Sequence, residues 1–208
     1  MLKVKVCGLN NPANTEKIAA TLPDFMGFIF HPLSRRYVGD SPSHSLFAKV
    51  PDGILKTGVF VNAPPGDVID KMNFYNLDIL QLHGEETPEY CSSLKKEGLT
   101  IIKAFAVSSS FSFMIAQQYM EVCDYFLFDT NTPGKGGSGI RFDWNILDRY
   151  NLPKQFFLSG GIGPDDASLI KNIGSDKLFA VDINSRFESR PGIKGCTRVR
   201  DFINEIKR

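Results

Sequence analysis

Short apolar runs rich in β-branched and aromatic residues recur along the chain. They lie at Lys3–Cys7, Phe25–Phe30, Lys56–Asn62, Ile79–His83, Thr100–Val107, Asp124–Asp129, Gln155–Ile162 and Leu178–Asn184. Each has the length and composition of a strand. Their starts are about 21 to 31 residues apart, room for one strand, one helix and two short loops. Between them the apolar positions take helical spacing. Ile18, Ala19 and Leu22 share a face in Asn14–Leu22, as do Val68, Ile69, Met72 and Leu77 in Pro65–Leu77. Thr87–Gly98 opens with Thr87 as N-cap and Pro88 in the first turn, and Gly98 closes it. Asp165–Gly174 begins with two acids and ends in Gly; Thr197–Lys207 aligns Val199, Phe202, Ile203 and Ile206.

Eight strand–helix units in a row fit an open doubly wound sheet or a closed barrel. An open dinucleotide-binding sheet wants G-x-G-x-x-G after its first strand; here Cys7-Gly8-Leu9-Asn10 follows, which fails. Eight units, with glycines after the seventh strand, predict an α/β protein of the (β/α)8 TIM-barrel type, one domain over residues 1–208.

Strand parity makes a further prediction, since alternate residues face opposite sides. If Val4 and Val6 face the helices, then Lys3, Lys5 and Cys7 point into the barrel. The same reasoning sends Phe60 and Asn62, Gln81 and His83, Lys103 and Phe105, Leu127 and Asp129, and Asp182 and Asn184 inward. Buried charges need partners, so Lys5 and Lys103 are expected to pair with Asp129 or Asp182.

Charge and composition narrow the function. With 24 basic and 23 acidic residues the formal net charge is +1. That balance offers no footprint for nucleic acid or an anionic membrane. No window approaches the ~18 consecutive apolar residues of a membrane span, and the alternating MLKVKVCG opening is a strand and not a leader peptide. A soluble, cytoplasmic chain is expected. Four scattered cysteines and three histidines without ligand spacing argue against a disulfide framework or a metal site.

Barrel chemistry belongs at the C-terminal strand ends. There the chain offers Cys7, Arg36, Asn62, His83, Asp129, Gly160-Gly161 and Asn184-Ser185. Glycines let backbone N–H groups approach a phosphate, and Asn184 and Ser185 add donors. Pro191–Gly195 could begin a short helix whose N-terminus favours the same anion. A free cysteine is often simply a small buried residue; at a barrel mouth, a modest shift of its thiol would make it a base near neutral pH. Asp129 and Cys7, on strands three apart in a ring of eight, could flank one bound sugar. Asp182 lies one layer deeper, within reach of Lys5. The glycine-rich run Gly134–Gly139 is a candidate lid over the ligand.

These segments together resemble phosphoribosylanthranilate isomerase. The matching pieces are Lys5-Val6-Cys7-Gly8, the stretch Phe28–Val38 containing Ser34, Arg36 and Val38, Gly58–Asn62 (GVFVN), Leu80–Gly84 (LQLHG), Phe128-Asp129 and Leu158–Ile162 (LSGGI), in that order. The resemblance implies Cys7 as the base at C2′ and Asp129 as the acid at the furanose oxygen. Arg36 would hold the anthranilate carboxylate, and Gly160, Gly161, Asn184 and Ser185 the phosphate, with His83 and Asp182 in support. It implies a small phosphorylated substrate, no metal or cofactor, and a monomer or homodimer. Two departures stand out: Asp182-Ile183-Asn184-Ser185 replaces a D-V-S-S-like turn, and Asn10 stands where a hydroxyl residue is common.

Two other readings stay open. One is another phosphosugar barrel, an epimerase or an indole-glycerol-phosphate synthase. The first wants more histidines than the chain has, and the second a strand-end glutamate that the sequence does not make evident. The other is a silent barrel that binds a phosphorylated ligand without turnover.

Overall fold

The structure, a computed structural model, describes residues 1–130 and 141–208. Eight strands form a closed parallel barrel in chain order: β1 Lys3–Cys7, β2 Phe25–Ile29, β3 Leu55–Phe60, β4 Ile79–Leu82, β5 Ile101–Val107, β6 Tyr125–Thr130, β7 Phe156–Leu158 and β8 Leu178–Ile183, with β8 returning to β1. The helices α1 Pro12–Ala19, α2 His44–Ala48, α3 Pro65–Phe74, α4 Pro88–Lys96, α5 Met114–Gln117, α6 Ala167–Lys171 and α7 Cys196–Ile206 pack outside. Asn11 and Thr87 cap α1 and α4, each followed by a proline whose missing N–H costs nothing there. The expected Asp165–Gly174 helix is a 3₁₀ turn, Pro164–Asp166, running into α6.

The base of the barrel is braced by a recurring device. Asp24, Asp78 and Asp124 each precede an even-numbered strand. Each carboxylate accepts from the backbone N–H of a residue in the previous strand: Val4 at 2.9 Å, Lys56 at 2.7 Å and Ile101 at 2.8 Å.

Parity needs correcting on two strands, β3 and β5. Paired residues on neighbouring parallel strands share a face, and the register puts Lys103 level with Leu82 and Phe126, and Phe60 level with Leu82. All of these except Lys103 belong to the apolar layer beneath the helices, as does Phe105. Lys103, Phe105 and Phe60 therefore face outward, contrary to expectation. Strands buried on both faces alternate apolar with apolar, so the sequence does not choose the inner set. Inside, Phe25, Ile79, Ile102, Ala104, Leu127, Phe157 and Ala180 fill the lower barrel. The interior is thus mainly apolar below, and its paired charges lie toward the mouth.

Lys103 consequently pairs with neither Asp129 nor Asp182. Its ammonium meets Glu86 at 3.0 Å in the outer layer. The Glu86 carboxylate also accepts from the N–H groups of Asn62 and Gly84. Asn62, with φ of 49°, turns out of the barrel, and its side chain accepts from Glu85 N–H at 2.7 Å. This cluster ties the loops after β3 and β4 together.

A last correction concerns Pro191–Gly195. The segment is not a helix start but part of a hairpin, β9 Glu188–Arg190 with β10 Ile193–Lys194. Pro191-Gly192, with Gly192 at φ of 85°, makes the connecting turn. Asn14 of α1 pins the hairpin to the barrel by exchanging two hydrogen bonds with the Lys194 backbone, at 2.8 and 3.0 Å.

Candidate active site

Cys7, His83, Asp129, Asp182 and Lys5 come from the inward rows of β1, β4, β6 and β8 or the residues that follow them. Lys5 and Asp182 are level in the β1–β8 register, and the ammonium reaches both carboxylate oxygens at 3.0 Å. Burial nevertheless holds the Asp182 carboxyl above its ordinary value. This pair is the floor of the polar zone. One step higher on β1, Cys7 is buried, and burial pushes its thiol up; the Lys5 and Lys194 ammoniums pull the other way. The thiol is therefore not poised downward near neutrality by its surroundings, as a mouth position alone would suggest.

On the opposite side Asp129 Oδ1 accepts from Thr130 N–H at 2.8 Å, and Oδ2 lies 3.2 Å from His83 Nε2. Gly160 follows β7 with φ of 90°, and a Cβ there would sit 2.3 Å from Thr130 Oγ1 and 2.9 Å from Asp129 Oδ1. The glycine thus lets the turn after β7 press against the end of β6 at Asp129 and Thr130. Gly161 continues the turn, also at positive φ.

Arg36 is engaged more fully than the sequence suggested. Its Nε and Nη2 donate to the two oxygens of Glu188 at 2.8 and 2.7 Å, a bidentate clasp that fixes the guanidinium plane. Gly8 makes room: at φ of 79°, a Cβ there would meet Arg36 Cδ at 2.6 Å and Asn184 Oδ1 at 2.8 Å. Asn184 accepts from the Lys194 ammonium at 2.5 Å, so its side-chain oxygen is occupied while its amide nitrogen remains a donor. Ser185 begins the turn Ser185–Phe187.

Glu188 and Lys194 were not singled out by sequence. The hairpin carries them inward, where Lys194 is 2 % exposed and meets Glu188 at 2.7 Å. Burial brings the Lys194 ammonium down to about 8, despite Glu188. Burial works to raise the Glu188 carboxyl, yet Arg36 and Lys194 hold it below the usual value. Arg36, Lys194 and Glu188 together leave one positive charge between the thiol and the guanidinium. That charge offsets part of the burial that raises the thiol, and it attracts an incoming carboxylate. In Lys194→Met, alkylation of the Cys7 peptide by iodoacetamide, followed by mass spectrometry, is expected to slow several-fold at neutral pH and recover at higher pH. An unchanged pH profile would separate Lys194 from the thiol.

The family model for N-(5′-phosphoribosyl)anthranilate isomerase matches residues 4–205. The chain belongs to this family. The isomerase is 42 % identical over 204 residues to a relative of the same description from Parabacteroides distasonis, covering 98 % of this chain and 92 % of that one. Among solved structures it resembles the phosphoribosyl anthranilate isomerase of Thermotoga maritima, at 34 % identity and a TM-score of 0.86 over 100 % of this chain and 99 % of the other. It also resembles a phosphoribosyl anthranilate isomerase solved with reduced 1-(o-carboxyphenylamino)-1-deoxyribulose 5-phosphate, at 31 % identity, a TM-score of 0.84 and the same coverage. The isomerase converts N-(5-phosphoribosyl)anthranilate to 1-(2-carboxyphenylamino)-1-deoxyribulose 5-phosphate, an Amadori rearrangement of tryptophan biosynthesis. Membership of this family sets aside the epimerase, synthase and silent-barrel readings. The Gly134–Gly139 run lies outside the described residues.

Proposed function

We propose that the rearrangement runs between Asp129 as general acid and Cys7 as general base. The observation behind this reading is the placement of both side chains on inward rows at the mouth, on strands three apart in a ring of eight. Asp129 gives its proton to the furanose oxygen as the C1′–O bond breaks and the anilino nitrogen forms an iminium. The cation acidifies C2′, whose proton passes to the Cys7 thiolate. The enolamine then tautomerises to the ketone. Arg36 takes the anthranilate carboxylate, since Glu188 occupies two of its donors and leaves Nη1 for ligand. The Gly160-Gly161 turn and the Asn184-Ser185 turn hold the phosphate. His83 supports Asp129, and Asp182 supports the thiol through Lys5. Fixing both ends of the substrate supplies the orientation that acid–base chemistry needs.

We take residues 1–208 as one catalytic domain acting in the cytoplasm as a monomer or homodimer, without nucleic acid or membrane partners. Among the described residues no helix is long and apolar enough to cross a membrane.

Turnover followed by product fluorescence tests the carboxylate site. A charged hydrogen-bond pair contributes about 1.5–3 kcal/mol, so Arg36→Ala is expected to raise KM by about 10- to 100-fold, with a smaller change in kcat. An unchanged KM would remove Arg36 from that role.

A further inference from the structure

Gln81 of β4 is 1 % exposed, and the family reading gives it no task. Its amide nitrogen lies 2.9 Å from His83 Nδ1, and its amide oxygen has no hydrogen-bond partner among the described residues. An amide nitrogen can only donate. Nδ1 is therefore the acceptor, and the imidazole proton sits on Nε2, which faces Asp129 Oδ2 at 3.2 Å. The second Asp129 oxygen already accepts from Thr130 N–H. Both oxygens of the acid thus face protein donors.

We propose that Gln81 is a positioning residue that selects the Nε2–H tautomer of His83 and so keeps the Asp129 proton for the substrate. This rests on the reading of Asp129 as the acid. In the other tautomer Nε2 would be a bare acceptor beside Oδ2. A protonated Asp129 would then donate to the histidine, and its proton would be turned away from the furanose oxygen. With Nε2–H in place, the acid's proton can be held only on a lone pair open to the mouth. After transfer to the ring oxygen, the two N–H groups stabilise the carboxylate that remains. The other charged groups facing this corner are Asp182 of β8 and Lys5 of β1, which pair at 3.0 Å, with Lys5 also beside Cys7.

The direct test is the ¹⁵N NMR signature of His83 in the wild-type enzyme near neutral pH, assigned by its loss in His83→Asn. The Nε2–H pattern is expected; an Nδ1–H pattern or a doubly protonated ring overturns the proposal without any variant having to fold. Gln81→Glu, whose carboxylate accepts from Nδ1–H, is expected to move the signature to Nδ1–H or imidazolium and to lower kcat about tenfold or more at little-changed KM. Gln81→Met, which imposes no tautomer, is expected to give a mixed signature and an intermediate kcat. A moved signature with wild-type kcat overturns the proposal. Asp129→Asn separates the two levels. Full activity there removes the acid assignment itself, whereas an inactive Asp129→Asn beside a fully active, tautomer-shifted Gln81→Glu removes only the role of Gln81.

Discussion

Asp129→Asn is expected to lower kcat by about two to four powers of ten, the usual contribution of a positioned general acid, while the reduced product analogue still binds. The amide keeps the volume of the carboxyl. Its oxygen can still accept from Thr130 N–H or from His83, while its NH2 faces the other donor, so the volume is kept at the loss of one hydrogen bond. What it lacks is a transferable proton. Cys7→Ala is expected to fall as far, because the methyl group keeps a buried position apolar and removes the proposed base. Product fluorescence gives the rate, and calorimetric titration with the analogue gives binding. A near-normal rate in either single variant would refute the acid–base pair. Equal losses of rate and affinity would instead point to a collapsed site.

The second large effect concerns stability. Lys5 is fully buried, its ammonium donates to both oxygens of Asp182, and it also reaches the Cys7 thiol. In Lys5→Met the carboxylate stands alone above an apolar floor, and removing one partner of a buried pair costs about 3–5 kcal/mol. The pH dependence has a definite sign. Burial already raises the Asp182 carboxyl, and without Lys5 its main counterweight is gone. The folded variant then binds a proton more tightly than the unfolded chain. Its stability should fall as pH rises from the ordinary carboxyl range toward the folded value, and stay low above it. Urea midpoints should therefore bring variant and wild type closer in acid than at neutrality. Lys5→Met/Asp182→Leu should recover most of the loss, since apolar replacement of a buried pair is often neutral. A single variant as stable as wild type at neutral pH would show that water reaches this pair.

Much of the barrel was legible because its strands are compact apolar runs and its helices carry amphipathic spacing with caps such as Thr87. The placement of Cys7, Asp129 and the Gly160-Gly161 turn at the barrel mouth was legible because each stands at or just past the end of a readable strand. The misreadings have a common origin. In Ile102-Lys103-Ala104 and Val59-Phe60, alternation is real but both faces are buried, so composition cannot say which side is inside; only the register with β4 and β6 decides. Glu86, Glu188 and Lys194 read as loop charges, which are usually solvated. Their burial follows from the closure of loops and a hairpin against the barrel. For that hairpin the sequence did carry a signal, Pro191-Gly192 between two short segments, which favours a tight turn over a helix start.

The three aspartate braces at the base divide the ring unevenly. They join β1 to β2, β3 to β4 and β5 to β6, but none spans β2–β3 or β4–β5. These clasps consequently come two strands at a time. New chain ends opened between β4 and β5 would leave every clasp whole, whereas ends opened between β1 and β2 would leave the Val4–Asp24 clasp to be rebuilt by two separate pieces. Dissection and recombination of this barrel should therefore succeed between β4 and β5 before they succeed between β1 and β2.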